Sequence, residues 1–271
     1  MNAGGKMIRQ VRWFRLFCYC LMAIGLLLLW SICAHIDTTV SYVLFVVFSL
    51  AWVLFICYFI RSYMFGRILR VLTDECDPGK HIEILDTFIN ETASWKKTDI
   101  TRFYLAKTTG LSLAGRLQEA AELLQGVKPR IKRPIDKAVF ENNIFIVHCH
   151  AHQFDEAQEA LSRMQDVILT LKKQYRMRYE RLLLEKTILI KMEKGNYENA
   201  ELVFAEMYRM AKSRYERVAA KFIIGRIYLH DGKLEEAKEA FTYVVRNGNR
   251  LFYVTTAESY LNEIRHKDII L

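Results

Sequence analysis

Two stretches of 21 residues, Leu16 to Ile36 and Val40 to Ile60, contain no Asp, Glu, Lys or Arg. About 20 apolar residues in a helix suffice to cross the hydrocarbon core of a bilayer, so these stretches constrain the chain first. The first holds ten Leu, Ile, Phe or Val residues and the second fourteen. At roughly −0.3 to −0.6 kcal/mol each, insertion is favoured by about −3 to −6 and −4 to −8 kcal/mol before polar corrections. Only Asp37-Thr38-Thr39 separates them, which predicts two adjacent antiparallel helices.

Lys6, Arg9, Arg12 and Arg15 precede the first stretch, and Arg61, Arg67 and Arg70 follow the second. The connecting turn has no basic residue. The positive-inside rule then predicts a multi-pass integral membrane protein with both termini cytoplasmic. Trp13, Trp30, Tyr42 and Tyr63 fall near the ends of the spans, where amphipathic rings favour the interface. A signal peptide cleaved after Ala34 is the rival reading, against which stand the length of its apolar core and the second span that follows at once. Gly25, Ala23, Ser49 and Ala51 are small enough for close helix approach, including approach by another membrane protein, although no GxxxG occurs. The segments read as a basic N-terminus (1–15), a transmembrane hairpin (16–60, with spans 16–36 and 40–60), a juxtamembrane helix (61–78) and a helical solenoid (79–271).

The net charge of +9 divides along the chain. Residues 1–65 net +4, and residues 66–271 net +5 from 34 basic and 29 acidic side chains. That second part is a mixed-charge surface, and it predicts no nucleic-acid partner. Six cysteines without a CxxC pair predict neither a disulfide framework nor a zinc ribbon.

Four decamers align without gaps: GRLQEAAELL (115–124), HQFDEAQEAL (152–161), GNYENAELVF (195–204) and GKLEEAKEAF (232–241). Gly or His stands first, an apolar residue third, Ala sixth, and Leu or Phe tenth. The alanines 120, 157, 200 and 237 are spaced 37, 43 and 37 residues apart. A weaker copy, GKHIEILDTF (79–88), has Ile84 in the Ala position. The glycine suits the left-handed end of one helix, and the acidic fourth or fifth residue suits the start of the next. Ala and the large residue four places on share one helix face. Each copy is thus a helix–turn–helix unit that must stack to bury its face.

These residues resemble the tetratricopeptide repeat (TPR) family over about residues 75–265. The last copy fits best, with Gly225, Tyr228, Gly232, Ala237 and Phe241 at the family spacing. The third keeps Gly195, Ala200 and Phe204, with Ile188 and Lys191 at the earlier positions. The second has Phe145, His148, His152, Ala157 and Leu161, and the first Gly115, Ala120 and Leu124. The resemblance implies an all-α chain: two transmembrane helices, then a TPR-like α-solenoid of about four repeats, with residues 251–264 as a C-terminal capping helix. It also implies a protein or peptide partner on the concave face lined by the first helix of each pair. Carried over by position, that face comprises Arg102, Leu105 and Thr109; Asn142, Ile146 and Cys149; Glu185, Leu189 and Met192; and Phe222, Arg226 and Leu229. It lacks the Lys/Asn/Lys/Arg set of the carboxylate-clamp members, so a segment with apolar anchors fits better.

Chemistry-bearing motifs are weak. His148, Cys149, His150 and His152 are metal-ligand types, but the repeat places His148 at a packed position and His152 at the turn while Cys149 and His150 point elsewhere, and no metal is expected. GLSLAGRL (110–117) is one residue too long for GxSxG and has Arg116 and Leu117 where a P-loop needs Lys and Ser/Thr. No catalytic residue and no cofactor are expected. Two basic stretches, KPRIKRPIDK (128–137) and KKQYRMR (172–178), read either as solvated surface or as contacts with anionic headgroups. The sequence therefore predicts a membrane-anchored, non-enzymatic adaptor or scaffold. The alternative is a ligand- or peptide-sensing regulatory subunit of a membrane enzyme or transporter. Reporter fusions test the topology: a fusion at residue 38 is expected to report the outside, and one at the C-terminus the cytoplasm. An external C-terminus refutes the hairpin.

Overall fold

The computed structural model describes residues 3–34, 39–91 and 97–270. Ile36, Asp37 and Thr38, at the predicted span end and turn, lie outside the described residues. Among those described the chain is all-helical, with twelve α-helices and no strand. It divides into two compact units, Met1–Arg70 and Val71–Leu271.

The first unit contains α1 (Ala3–Cys33) and most of α2 (Thr39–Thr73). Within them, Arg9–Ile32 and Tyr42–Thr73 are long and apolar enough to cross a membrane. The pairs Gln10–Arg67, Phe14–Tyr63, Gly25–Trp52 and Trp30–Phe45 advance along α1 while they retreat along α2, so the helices are antiparallel. The Phe14 and Tyr63 rings stack with centroids 3.8 Å apart. A Cβ on Gly25 would lie 2.4 Å from the Trp52 indole nitrogen. Gly25 is therefore covered from within the hairpin and does not offer a small-residue face to another protein. Leu27, Leu28, Val46 and Tyr58 are among many large apolar side chains left exposed here, unlike those of a helix in a soluble core.

The second unit begins with α3 (Pro78–Glu91), whose first turn is capped by the Asp77 carboxylate, which accepts the Lys80 N–H at 2.9 Å. Four helical hairpins follow. The first helices are α4 (Lys97–Leu113), α6 (Pro134–His150), α8 (Lys173–Glu193) and α10 (Arg214–His230). Their second helices are α5 (Leu117–Val127), α7 (Phe154–Leu169), α9 (Ala200–Met210) and α11 (Leu234–Asn247). Last comes α12 (Phe252–Ile270).

The first residue of every decamer has positive φ: Gly115 (76°), His152 (58°), Gly195 (82°) and Gly232 (74°). Each closes the same turn. The N–H after it reaches back five residues, Arg116 to Leu111, Gln153 to His148, Asn196 to Lys191 and Lys233 to Tyr228, at 2.8–2.9 Å. Its own N–H reaches back three, to Ser112, Cys149, Met192 and Leu229. This is the Schellman motif, repeated four times. Beyond the turn, Ala120, Ala157, Ala200 and Ala237 have no exposed surface, and Leu124, Leu161, Phe204 and Phe241 are buried. The small residue lets the helices close up, and the large one fills the space between hairpins. In the last hairpin a Cβ on Gly225 would lie 2.7 Å from the Phe241 ring.

The third hairpin departs from the others. Asn199, also left-handed at φ 59°, delays α9 until Ala200, whereas α5, α7 and α11 each start two residues after the turn residue. The 43-residue spacing arises around its entry, where α7 runs to 16 residues and α8 to 21, against 17 for α4, α6 and α10.

The array does not end at α12 as a terminal cap alone. The turn before α12 meets the turn before α3: the Arg250 N–H donates to the Cys76 carbonyl at 3.2 Å, and the Asn249 amide to the Glu75 carbonyl at 2.8 Å. Phe252, in the first turn of α12, lies against Gly115 and places its ring 4.3 Å from His150. The end of the array thus returns to its beginning.

The turn conformation yields a prediction. A Cβ on Gly232 would meet open space, so Gly232→Ala tests the left-handed backbone alone. It is expected to lower stability by about 1 kcal/mol, a fall of about 2–4 °C in Tm for a domain this size. His152→Gly is expected to act in the opposite direction. Thermal unfolding of both variants in mild detergent is the check, and equal Tm values for Gly232→Ala and the parent would refute the turn assignment.

Candidate partner-binding face

The first helices α6, α8 and α10 present a mixed face, and its groups are built from the helix spacing. On α6, Asn142, Ile146 and Cys149 recur every three or four residues, and all three are half-buried. On α8 the corresponding stripe is Lys186, Leu189 and Glu193, and α10 adds Tyr215, Arg226 and Leu229. The helices are linked by long side chains. Arg226 and Glu193 form an ion pair at 2.8 Å, and the Lys186 ammonium lies 5.5 Å from the Phe145 ring centroid of α6. Tyr215 is hydrogen-bonded to Tyr253 of α12, and the Tyr253 ring is 4.8 Å from that of Phe222.

Three residues expected on this face are buried instead: Leu105, Met192 and Phe222. Leu105 packs between α4, α5 and α6, Met192 turns into the core beneath α8, and Phe222 is covered by Tyr253 and Tyr260. The rest of the α4 contribution is also taken up by packing. Thr109 donates to the Asn143 side-chain oxygen at 3.0 Å, Asn143 donates to the Leu105 carbonyl at 2.9 Å, and Arg102 lies 3.6 Å from Asp136. The open face therefore runs from α6 to α10. Glu185 is half-buried beside Arg181 at 3.6 Å, and burial raises its carboxyl above the ordinary range.

The reading by position missed Lys186, His150, Tyr215 and Tyr253. Lys186 has a signal in retrospect, since the stripe 186, 189, 193 is the helical alternative to 185, 189, 192. Tyr253 has none, because nothing local to it announces that α12 folds back onto α10.

The electrostatics of the face are uneven. Burial works against the Arg226 guanidinium, but the hydrogen bond and charge of Glu193, with smaller contributions from Tyr260 and Tyr197, together raise its pKa. Among the described residues no carboxylate comes within ion-pair distance of Lys186, and burial lowers its pKa. Among the described residues of this face, two buried polar atoms have no hydrogen-bond partner, Asn142 Oδ1 and His150 Nδ1. The face thus offers one cation outside ion-pair distance of a carboxylate, its burial partly offset by the charge of Glu185, and two unsatisfied polar atoms amid Ile146, Leu189 and aromatic rings.

Burial raises the Cys149 thiol, so it stays protonated at neutral pH and is no activated nucleophile. The histidines diverge: His148 pairs with Gln153 at 2.7 Å, His150 packs on Phe252, and His152 occupies the turn. Among the described residues no three His, Cys, Asp or Glu side chains are grouped to hold a metal ion. Ser112, in the GxSxG-like stretch, is buried and donates to the Thr108 carbonyl at 3.1 Å.

His150 carries a pH signature. Burial, then Lys186 and His152, bring its pKa down to about 4 from an ordinary 6.5. Between these values the unfolded chain binds a proton that the folded chain refuses, so stability is lost as pH falls from about 6.5 to 4. His150→Phe, which keeps a ring against Phe252, is expected to flatten the stability profile in that window. Thermal unfolding from pH 7 to pH 4 checks it, and parallel profiles for variant and parent would refute it. Compared with protein-family models, curated proteins and solved structures, the chain matches none.

Proposed function

We propose that the chain is a membrane-anchored adaptor of TPR-like construction, held by α1 and α2 with both termini on the cytoplasmic side. Its α6–α10 face takes up a segment of a partner protein. The observation that carries this reading is the combination on that face: Lys186 outside ion-pair distance of any carboxylate among the described residues, two buried polar atoms without a hydrogen-bond partner, and apolar side chains between them. A soluble-facing surface has no need of such groups, whereas a peptide supplies an acidic side chain, backbone N–H groups and apolar anchors together. Leu189 and Ile146 serve as the apolar floor. The repeated Schellman turns and buried alanines support the repeat reading, and the outward-facing apolar side chains of α1 and α2 support the anchor.

The return of the Asn249–Arg250 turn onto Glu75 and Cys76 favours a second reading, a regulatory subunit whose array opens or closes when a ligand binds. The two differ in whether a partner is captured through the face itself.

The test is crosslinking and pull-down of the full chain from mild detergent beside Lys186→Met and Leu189→Ala variants. Capture through the face is expected to fall at least about tenfold in each. Lys186→Met is expected at the same time to keep or raise Tm, by up to about 2–4 °C, because it removes an unpaired, partly desolvated charge. Partners retained equally by both variants would overturn the reading.

A further inference from the structure

Outside α1 and α2, the exposed large apolar side chains among the described residues are Leu169, Tyr175, Met177, Leu184, Leu202 and Met210. All fall on the end of α7, on α8 and on α9, and four of them, Leu169, Tyr175, Met177 and Leu184, lie between Ala157 and Ala200, where the repeat spacing widens to 43 residues. From Val167 to Tyr179 there are four basic residues and no acidic one. Arg176 is turned inward, donating to the Leu169 and Leu171 carbonyls at 2.9 and 3.3 Å, which ties the end of α7 to the first turn of α8. The other three, Lys172, Lys173 and Arg178, are exposed and without a carboxylate partner among the described residues. Leu169 and Met177 beside them are 64% and 70% exposed.

Exposed apolar side chains interleaved with cations at the turn between α7 and α8 fit a bilayer surface better than a protein. A protein must provide a shaped, anionic pocket for them, while lipid headgroups and acyl chains rearrange around what is inserted. We infer that the α7–α8 tip docks on a bilayer carrying anionic headgroups, with Leu169, Tyr175 and Met177 entering the interface and Lys172, Lys173 and Arg178 meeting phosphates. The inference rests on the membrane-anchored reading, which supplies the bilayer. The lengthened repeat then acts as a second foothold that adds to the two apolar helices by effective concentration.

The test uses the full chain in nanodiscs of phosphatidylcholine alone or of an equimolar mixture with phosphatidylglycerol. The photo-reactive residue benzoylphenylalanine replaces Met177, or Glu239 on α11 as a control. After illumination, lipid adducts are expected at position 177, absent at 239, and more abundant in the anionic discs. Each of Lys172→Gln, Lys173→Gln and Arg178→Gln is expected to reduce the adduct about fivefold. Adducts to protein alone would assign the tip to a protein partner or a second copy and overturn the proposal. Adducts that ignore lipid charge, or no adduct from disc-bound chain, would overturn it too. A chain recovered outside the discs would overturn the anchor, and this inference with it.

Discussion

A residue forced into the left-handed region at the end of each first helix is the constraint on which the second unit depends. At Gly115, His152, Gly195 and Gly232 it reverses the chain and satisfies the terminal carbonyls of the helix just finished. It also fixes the phase of the next helix. Five residues later an alanine faces the partner helix, and four further on a leucine or phenylalanine fills the gap to the next hairpin. Were the turn to shift by a residue, both would rotate by about 100°, and the buried face would turn towards solvent. Where a second left-handed residue intrudes, at Asn199, the following helix starts late and its hairpin is bound less closely than its neighbours.

This dependence explains what was legible in the sequence. The hairpins could be read because their determinants are local: a turn residue, an alanine and a large side chain at fixed offsets within ten residues. The apolar helices could be read because length and composition alone define them. The return of residues 249–253 onto Glu75, Cys76, Gly115 and His150 could not. Its contacts span up to 174 residues of chain, and nothing within a few residues of either end announces the pairing. The face was half legible. Asn142, Ile146, Cys149, Leu189, Arg226 and Leu229 stand where helical spacing put them. Leu105 and Thr109 do not, because Asn143, an unremarkable residue in sequence, bonds to both and pulls α4 and α6 together. Met192 is buried in the core, and Glu193 beside it takes the ion pair with Arg226.

The treatment of charge across the second unit follows one pattern with one exception. Buried Asp136 has two guanidinium neighbours, Arg102 and Arg133; buried Glu141 has Arg163 at 2.9 Å; Glu193 has Arg226 at 2.8 Å. The fold repeatedly places an arginine against a half-desolvated carboxylate, as the expense of leaving such a charge alone requires. Lys186 departs from that pattern: among the described residues no carboxylate is within ion-pair distance, the charge of Glu185 offsets only part of its burial, and the Phe145 ring of α6 lies beneath it, on the helix that also leaves Asn142 Oδ1 unsatisfied. A leucine or methionine at position 186 would pack on Phe145 without the penalty. Where a sequence departs from its own pairing pattern on one face, those residues add less to stability than their paired counterparts, and that departure is the physical ground on which a partner segment is proposed there.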